Sequence, residues 1–302
     1  MLREAVLGRQ ILGAGKGRGV STIADSSAFR DEKRVLAQHE AALTLLQGIL
    51  ADPSVTEARW LDLACGRGQI VSSLDQVLSQ QARTKLRYNA YDVRHDYISQ
   101  TARTADALGL LSVEGRVGEL AEFSKVYPSG DRFEFITIIN VFHELDPYHL
   151  GTILADSIAR LSDKGCLYVC DMEGLEPREL GAVLWTKDDV STIFRSLCQG
   201  FGLSNYEPAV SHWSHTSRNT WSVQVQRSHL SLTAEALGVG RDAAVASVSQ
   251  AIAQLLVGKL KRCHEALEAL THYGSQTPQE EAAILDLLYD FWALTRRLEA
   301  AT

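Results

Sequence analysis

Trp60-Leu61-Asp62-Leu63-Ala64-Cys65-Gly66-Arg67-Gly68-Gln69 is the stretch that decides the fold of this chain. An apolar run of strand character ends in an acid, and small residues at 64, 66 and 68 turn the chain tightly toward a helix expected to begin near Ile70. Glycines in such a turn let a ligand approach the backbone, and the next helix offers free N–H groups at its start. Dinucleotide and phosphate sites use similar turns. A Walker loop needs Gly-Lys-Ser/Thr, which is missing, and a dinucleotide turn starting at Gly66 needs a small residue at 71, where Val71 stands.

Outward from this loop, residues 60–227 alternate short β-rich apolar runs with helical stretches, the pattern of a parallel sheet covered by helices on both faces. Strands are expected at 59–63, 87–91, 113–117, 133–139 and 166–170, with a closing pair near 204–210 and 220–226. Val35, Leu36, Ala42, Leu43, Leu46 and Leu50 mark a helix over 30–50 that leads into the core. After His229 the spacing changes to one long helical stripe, Val245, Val248, Ile252, Leu256, Leu260, Cys263, Leu267 and Leu270. Thr277-Pro278-Gln279-Glu280 then reads as a capping box that opens a second helix with Ile284, Leu287, Leu288, Phe291, Leu294 and Leu298 on one side. Such a helical hairpin cannot bury both stripes alone and needs the sheet domain, a second copy or a protein partner through 240–300. The expected organisation is a flexible basic lead (1–34), a sheet domain (35–228) and a C-terminal helical hairpin (229–302).

Composition bounds the function classes. The 302 residues are 45% hydrophobic and 22% charged, which excludes a disordered or low-complexity chain. Five scattered cysteines without a CxxC pair argue against a disulfide framework and a zinc cage. Charge interrupts the apolar runs short of the roughly 20 residues that cross a bilayer, so no transmembrane helix and no membrane contact are expected. The first residues do not read as a signal peptide, and a cytoplasmic location is expected. With 30 basic and 37 acidic residues the net charge is −7, which disfavours a long nucleic acid as partner. Residues 1–34 hold seven basic and four acidic side chains, a local +3 that leaves contact with phosphate open.

The Asp-x-Ala-x-Gly-x-Gly turn resembles motif I of the class I S-adenosylmethionine-dependent methyltransferases, and the resemblance runs along residues 35–227. It implies a seven-stranded, mostly parallel Rossmann-like α/β sheet with a reversed last strand, and S-adenosylmethionine as cofactor. On that resemblance Asp62, Ala64, Gly66 and Gly68 approach the amino-acid moiety, Asp92 after the second strand holds the ribose hydroxyls, and Gly118, Glu119 and Leu120 after the third meet the adenine. Cys65 is a packing residue, since nothing beside it marks a nucleophile.

The resemblance also places the end of the fourth strand at the sulfonium, where Asn140 is a candidate to bind the cofactor and Asn140, His143 and Glu144 are candidates for orienting or deprotonating an acceptor. His143 suits a base near neutral pH; it equally suits a residue that caps and packs. Asn140-Val141-Phe142 departs from the Asn/Asp-Pro-Pro-Tyr/Phe of amino-methyltransferases acting on nucleic-acid bases, and no Pro-Cys of a cytosine-5 enzyme is present. His143 and His149, six apart, do not share a helical face, so no metal is assigned. Asp171 and Glu173 in the acid-rich 171–179 loop are candidates to bind an amine or guanidinium, or are solvated. His212, Trp213, His215 and Arg218, between the last two strands, combine stacking and hydrogen bonding as a planar or phosphorylated ligand requires.

The sequence therefore points to a methyltransferase whose acceptor is undetermined, with a small molecule or protein side chain favoured and a structured RNA allowed. The alternative is a non-catalytic methyltransferase-fold module that binds partners or senses S-adenosylmethionine through its C-terminal helices.

Overall fold

The structure, a computed structural model, describes residues 37–128, 130–175, 181–215, 218–272 and 277–299. The basic lead at 1–34, the start of the helix expected over 30–50 and the 176–179 part of the acidic loop lie outside the described residues.

Seven strands form one sheet: β1 (Ala58–Leu63), β2 (Leu86–Asp92), β3 (Ser112–Val117), β4 (Phe133–Ile139), β5 (Leu161–Met172), β6 (Ala209–His215) and β7 (Arg218–Gln226). Their order is β3-β2-β1-β4-β5-β7-β6, with β1 to β5 parallel and β7 antiparallel to both β5 and β6. This is the seven-stranded, mostly parallel sheet with a reversed last strand that the sequence resemblance implies. Chain direction across the sheet changes at β1 and β4, so the crevice outside their C-terminal ends is the topological switch point where open α/β sheets bind ligands.

Alternation along the strands builds two cores. Trp60, Tyr88, Phe135, Tyr168 and Cys170 face α1 (Ala37–Ala51), whose Ala42, Leu43, Leu46 and Leu50 are buried. Leu61, Tyr91, Ile136, Ile138, Val169 and Val223 face the opposite way, toward α3 (Leu150–Ala159) and α4 (Lys187–Gly200). Between them in sequence, α2 (His95–Ala107) lies against β2 and β3.

The C-terminal helices join that second core. α5 (Ala234–His272) is a single helix of 39 residues, and its Leu237, Ala244, Val248, Ile252 and Leu256 are buried in the same cluster as the sheet. Gly200 permits the approach, since a Cβ there would sit 2.3 Å from the Ala244 Cα. Arg241 bonds Asp156 on α3, and Lys259 Nζ lies 2.5 Å from Asp189 on α4. α6 (Pro278–Glu299) packs along α5, and it opens with the expected capping box: Thr277 N donates to Glu280 Oε2 at 3.0 Å, and Glu280 N to Thr277 Oγ1 at 3.2 Å.

Three expectations need correction. The sixth strand runs over 209–215 rather than 204–210, starting directly after Pro208, which has no N–H to give to the ladder. In place of a helix from Ile70 there is a 3-10 turn (Val71–Ser73) and a four-residue α turn (Leu74–Val77), with Ser73 at ψ 0° breaking the continuation. One segment, Glu235–Leu270, is long and apolar enough by length and composition to cross a membrane, with mean hydropathy 1.4, because 243–258 carries no charge. Its inner face is occupied by α3 and α4, while Val239 and Val257, five turns apart, are 81% and 57% exposed on the outer face.

Candidate functional site

Every element proposed from sequence for the cofactor ends at the same edge of the sheet. The turn after β1 holds three residues in the left-handed region at alternate positions: Ala64 (φ 58°), Gly66 (φ 55°) and Gly68 (φ 77°). The two glycines differ in what demands them. At Gly68 a Cβ would meet Thr101 Oγ1 and Val71 Cγ1 at 2.9 Å, so packing requires glycine there. At Gly66 a Cβ would meet nothing within 4 Å, so the backbone borders open space into which a ligand can come.

The turn is tied to β2. Asp92 Oδ2 accepts from Gly66 N at 3.0 Å and its Oδ1 from Arg94 N at 2.9 Å, while Cys65 N donates to the Tyr91 carbonyl at 3.1 Å. Burial raises the Asp92 carboxyl above the usual range, and the backbone N–H donors oppose that. Thr101 Oγ1 on α2 donates to the Gly66 carbonyl at 2.9 Å, and the Tyr97 ring is flanked by the Arg94 and Arg67 guanidiniums, 4.2 and 5.2 Å from its centroid. Beyond β3, Gly118 N donates to the Asp92 carbonyl, and Tyr91 OH donates to the Glu119 carbonyl at 2.9 Å, fixing the loop that starts there. The Glu119 side chain is exposed, Leu120 is buried, and Val93 presents 57% of its surface beside Asp92. An open glycine backbone, an acid and an exposed apolar side chain therefore sit side by side.

Asp62 is different. It is only 2% exposed; Tyr88 OH donates to its Oδ2 at 2.6 Å and Thr137 Oγ1 to its Oδ1 at 2.7 Å, while Trp60 Nε1 donates to Thr137 Oγ1 at 2.8 Å. The register makes this unavoidable, since Thr137 lies directly beside Asp62 on β4. Burial pushes the Asp62 carboxyl up to about 6. Both oxygens are engaged inside the protein, so this acid supports the turn from beneath. The Cys65 thiol is likewise pushed up by burial, as for a packing residue.

At the end of β4, Asn140 takes φ 57°, and its Oδ1 is buried with no hydrogen-bond partner. An orphaned buried acceptor next to the open turn is a feature that a ligand donor would satisfy. His143 is buried and Glu144 is 58% exposed on its side chain. Asp171, at the end of β5, accepts from the His143 backbone N at 2.8 Å, from Met172 N at 2.7 Å, and lies 2.8–2.9 Å from His143 Nδ1 through both oxygens. Asp171 is 1% exposed, which corrects its assignment as a substrate-binding acid: its oxygens serve His143 and Met172. The second ring nitrogen of His143 lies 3.9 Å from Glu144 Oε1.

Glu173 and His212, assigned separately from sequence, are brought together with Oε2 3.3 Å from Nε2, while Glu173 Oε1 also accepts from Lys187 N at 2.7 Å. Trp213 packs partly on the α1 side of the sheet. His215 closes β6 and Arg218 opens β7; their side chains lie outside the described residues. Among the described residues no group of three metal-ligating side chains is present.

Sequence reasoning missed His39. It sits on the buried stripe of α1, three and four residues before Ala42 and Leu43, with Nδ1 unpartnered, and burial lowers its pKa to about 4. Its spacing was the available signal. The buried hydroxyls of Tyr88 and Thr137 had none.

No family model matches the chain. No curated protein matches it either. Solved structures similar to it include a magnesium protoporphyrin IX methyltransferase from Synechocystis PCC 6803 with bound SAH, at TM-score 0.47 and 11% identity, covering 67% of this chain and 91% of that one. A rRNA methylase from Streptococcus thermophilus gives 0.42 and 12%, covering 64% and 98%. A SAM-dependent methyltransferase from Aquifex aeolicus gives 0.42 and 18%, covering 62% and 88%. The fold rests on the strand order itself.

Proposed function

We propose that this chain is an S-adenosylmethionine-dependent methyltransferase acting on a small molecule or a protein side chain. The observation that carries the reading is the convergence at one sheet edge of the left-handed 64–68 turn, open at Gly66, with Asp92 and the orphaned Asn140 Oδ1. These groups fit the cofactor. Gly66 gives its amino-acid end a backbone surface while Gly68 closes the turn behind it, Asp92 keeps a second lone pair on each oxygen for a ribose diol beside the bonds from Gly66 N and Arg94 N, and Val93 and the 118–120 segment flank an adenine. When bound, the cofactor supplies a methyl group already activated on a sulfonium.

The chain's own task is then mainly to position. Methyl transfer is an in-line displacement, and alignment alone removes much of the barrier. Asn140 Oδ1 accepts a hydrogen bond from an acceptor N–H or O–H and so points its lone pair at the methyl. His143 is held by Asp171 on its Nδ1 side and is buried, which suits a residue that fixes the loop. Glu144, exposed on the same loop, is the group placed to take a proton where the acceptor has one to lose. The acidic balance of the chain supports a small or protein acceptor over a long nucleic acid.

Labelled S-adenosylmethionine incubated with the chain and fractionated cell extract tests this. Label entering a metabolite or protein fraction supports the reading. Label confined to RNA would replace the acceptor class, and none anywhere would favour the partner-binding or sensing module.

A further inference from the structure

Arg297, in the last turn of α6, has Nη1 3.4 Å from Asp146 Oδ2 and Nη2 3.3 Å from the Gly181 carbonyl. These contacts reach back 151 and 116 residues, into the two segments that enclose His143. Asp146 closes the His143-Glu144 loop; its Oδ1 accepts from Tyr148 N at 3.0 Å and so caps the turn that leads into α3. Gly181 begins the stretch toward α4, and two residues on, Val183 N donates to the His143 carbonyl at 2.9 Å. The two segments are therefore pinned to each other at His143 by a backbone bond and near Asp146 and Gly181 by one guanidinium.

α5 reaches the same stretch. Lys259 Nζ, paired with Asp189, lies 5.4 Å from the centroid of the Trp185 ring. The Trp185 carbonyl accepts from Trp221 Nε1 at 2.8 Å, and the Trp221 ring meets Phe142 edge-on, with centroids 5.4 Å apart. Phe142 is the residue before His143. Both C-terminal helices thus bear on the floor and rim of one loop, and the guanidinium fork suits Arg297 to bridge two acceptors where a lysine would serve one.

We propose that Arg297 is a positioning residue: it couples the C-terminal helical pair to the acceptor-side loop, fixing the 141–146 and 181–186 segments relative to Asn140 and Glu144. The Arg297 and Asp146 side chains are 26% and 35% exposed, so the pair adds little to global stability and its effect is local. The part of this inference that concerns catalysis rests on the methyltransferase reading.

Three measurements on the full chain test it. In Arg297→Ala, amide hydrogen exchange in 141–149 and 181–186 should speed up about tenfold while β1 and β4 stay protected, and Arg297→Lys should restore part of the protection. Asp146→Asn, which keeps an oxygen for the Tyr148 cap, should reproduce the change at 181–186. With labelled S-adenosylmethionine and the extract fraction that wild type labels, Arg297→Ala should lose about tenfold in kcat at unchanged cofactor affinity by calorimetry, with Arg297→Lys intermediate. Unchanged exchange in both variants, or a uniform rise across the whole chain, would overturn the proposal, as would unchanged kcat. Wild type that neither binds the cofactor nor labels any fraction would overturn the methyltransferase reading, and the exchange arm would still decide the brace.

Discussion

Asp171 Oδ2 lies 2.8 Å from both the backbone nitrogen and the ring Nδ1 of His143, with the carboxylate almost wholly buried. One acid at the end of β5 thereby fixes the loop that follows β4. Removing it leaves the His143 and Met172 donors without their acceptor in a dry interior. Asp171→Ala should lower stability by about 3 kcal/mol in urea unfolding, and Asp171→Asn by less, since one oxygen remains. A loss under about 0.5 kcal/mol for the alanine variant would show that the pair carries no strain-free anchoring of the loop.

The two glycines of the β1 turn should separate folding from binding. Gly68→Ala forces a Cβ into Thr101 and Val71 at positive φ and should cost about 2–3 kcal/mol of stability. Gly66→Ala should cost only about 1 kcal/mol, as its neighbour Ala64 already holds φ 58°, yet fill the space beside the backbone and weaken cofactor binding. Thermal unfolding and calorimetry on both variants check the contrast.

His39 and Asp62 should give opposite pH slopes. The folded Asp62 binds its proton more tightly than the unfolded chain, about 6 against 3.8, so its contribution is present below pH 4 and is lost as pH rises through 6. The folded His39 resists protonation, about 4 against 6.5, so its contribution is present above pH 6.5 and is lost as pH falls through 4. Each amounts to about 3 kcal/mol. Between pH 4 and 7, Asp62→Asn should make the stability curve rise more steeply with pH than wild type, and His39→Gln should make it rise less. Parallel curves for all three proteins would contradict both assignments.

The helical pair is part of the core, and its removal should be destructive. Cutting after Ser228 uncovers the sheet-side apolar surface that Leu237, Ala244, Val248, Ile252 and Leu256 now cover. The shortened chain should aggregate, or bind a dye specific for exposed apolar surface, in size-exclusion runs where the full chain stays dispersed. A dispersed, cooperative truncated form would make the helices an appendage after all.

Local chemistry made much of this readable. The β1 turn and the Thr277 capping box each follow from residues a few positions apart and are where the sequence put them, while Asp92 came from the resemblance and is found bonded to that turn at Gly66 N. β6 slipped by five residues because an edge strand has a weak alternation, although Pro208 was there to mark its start. The role of Asp171 was not readable: it depends on two strand ends 28 residues apart meeting at one edge. Arg297 and Asp146, 151 apart, are joined only once the helical pair is folded against the sheet. Asp62 was placed at the cofactor by the resemblance of its turn to motif I; its engagement comes from Tyr88 and Thr137 on neighbouring strands, which no local pattern announces.

Calorimetric titration of the folded chain with S-adenosylmethionine, beside Asp92→Ala, tests the central claim most directly. Wild type should give saturable one-to-one binding, and Asp92→Ala should bind at least about tenfold more weakly, as expected for loss of a charged acceptor to a ribose diol, with its circular dichroism unchanged. Folded wild type that shows no binding heat at millimolar cofactor at two temperatures, or an Asp92→Ala variant that binds as tightly as wild type, would contradict the account.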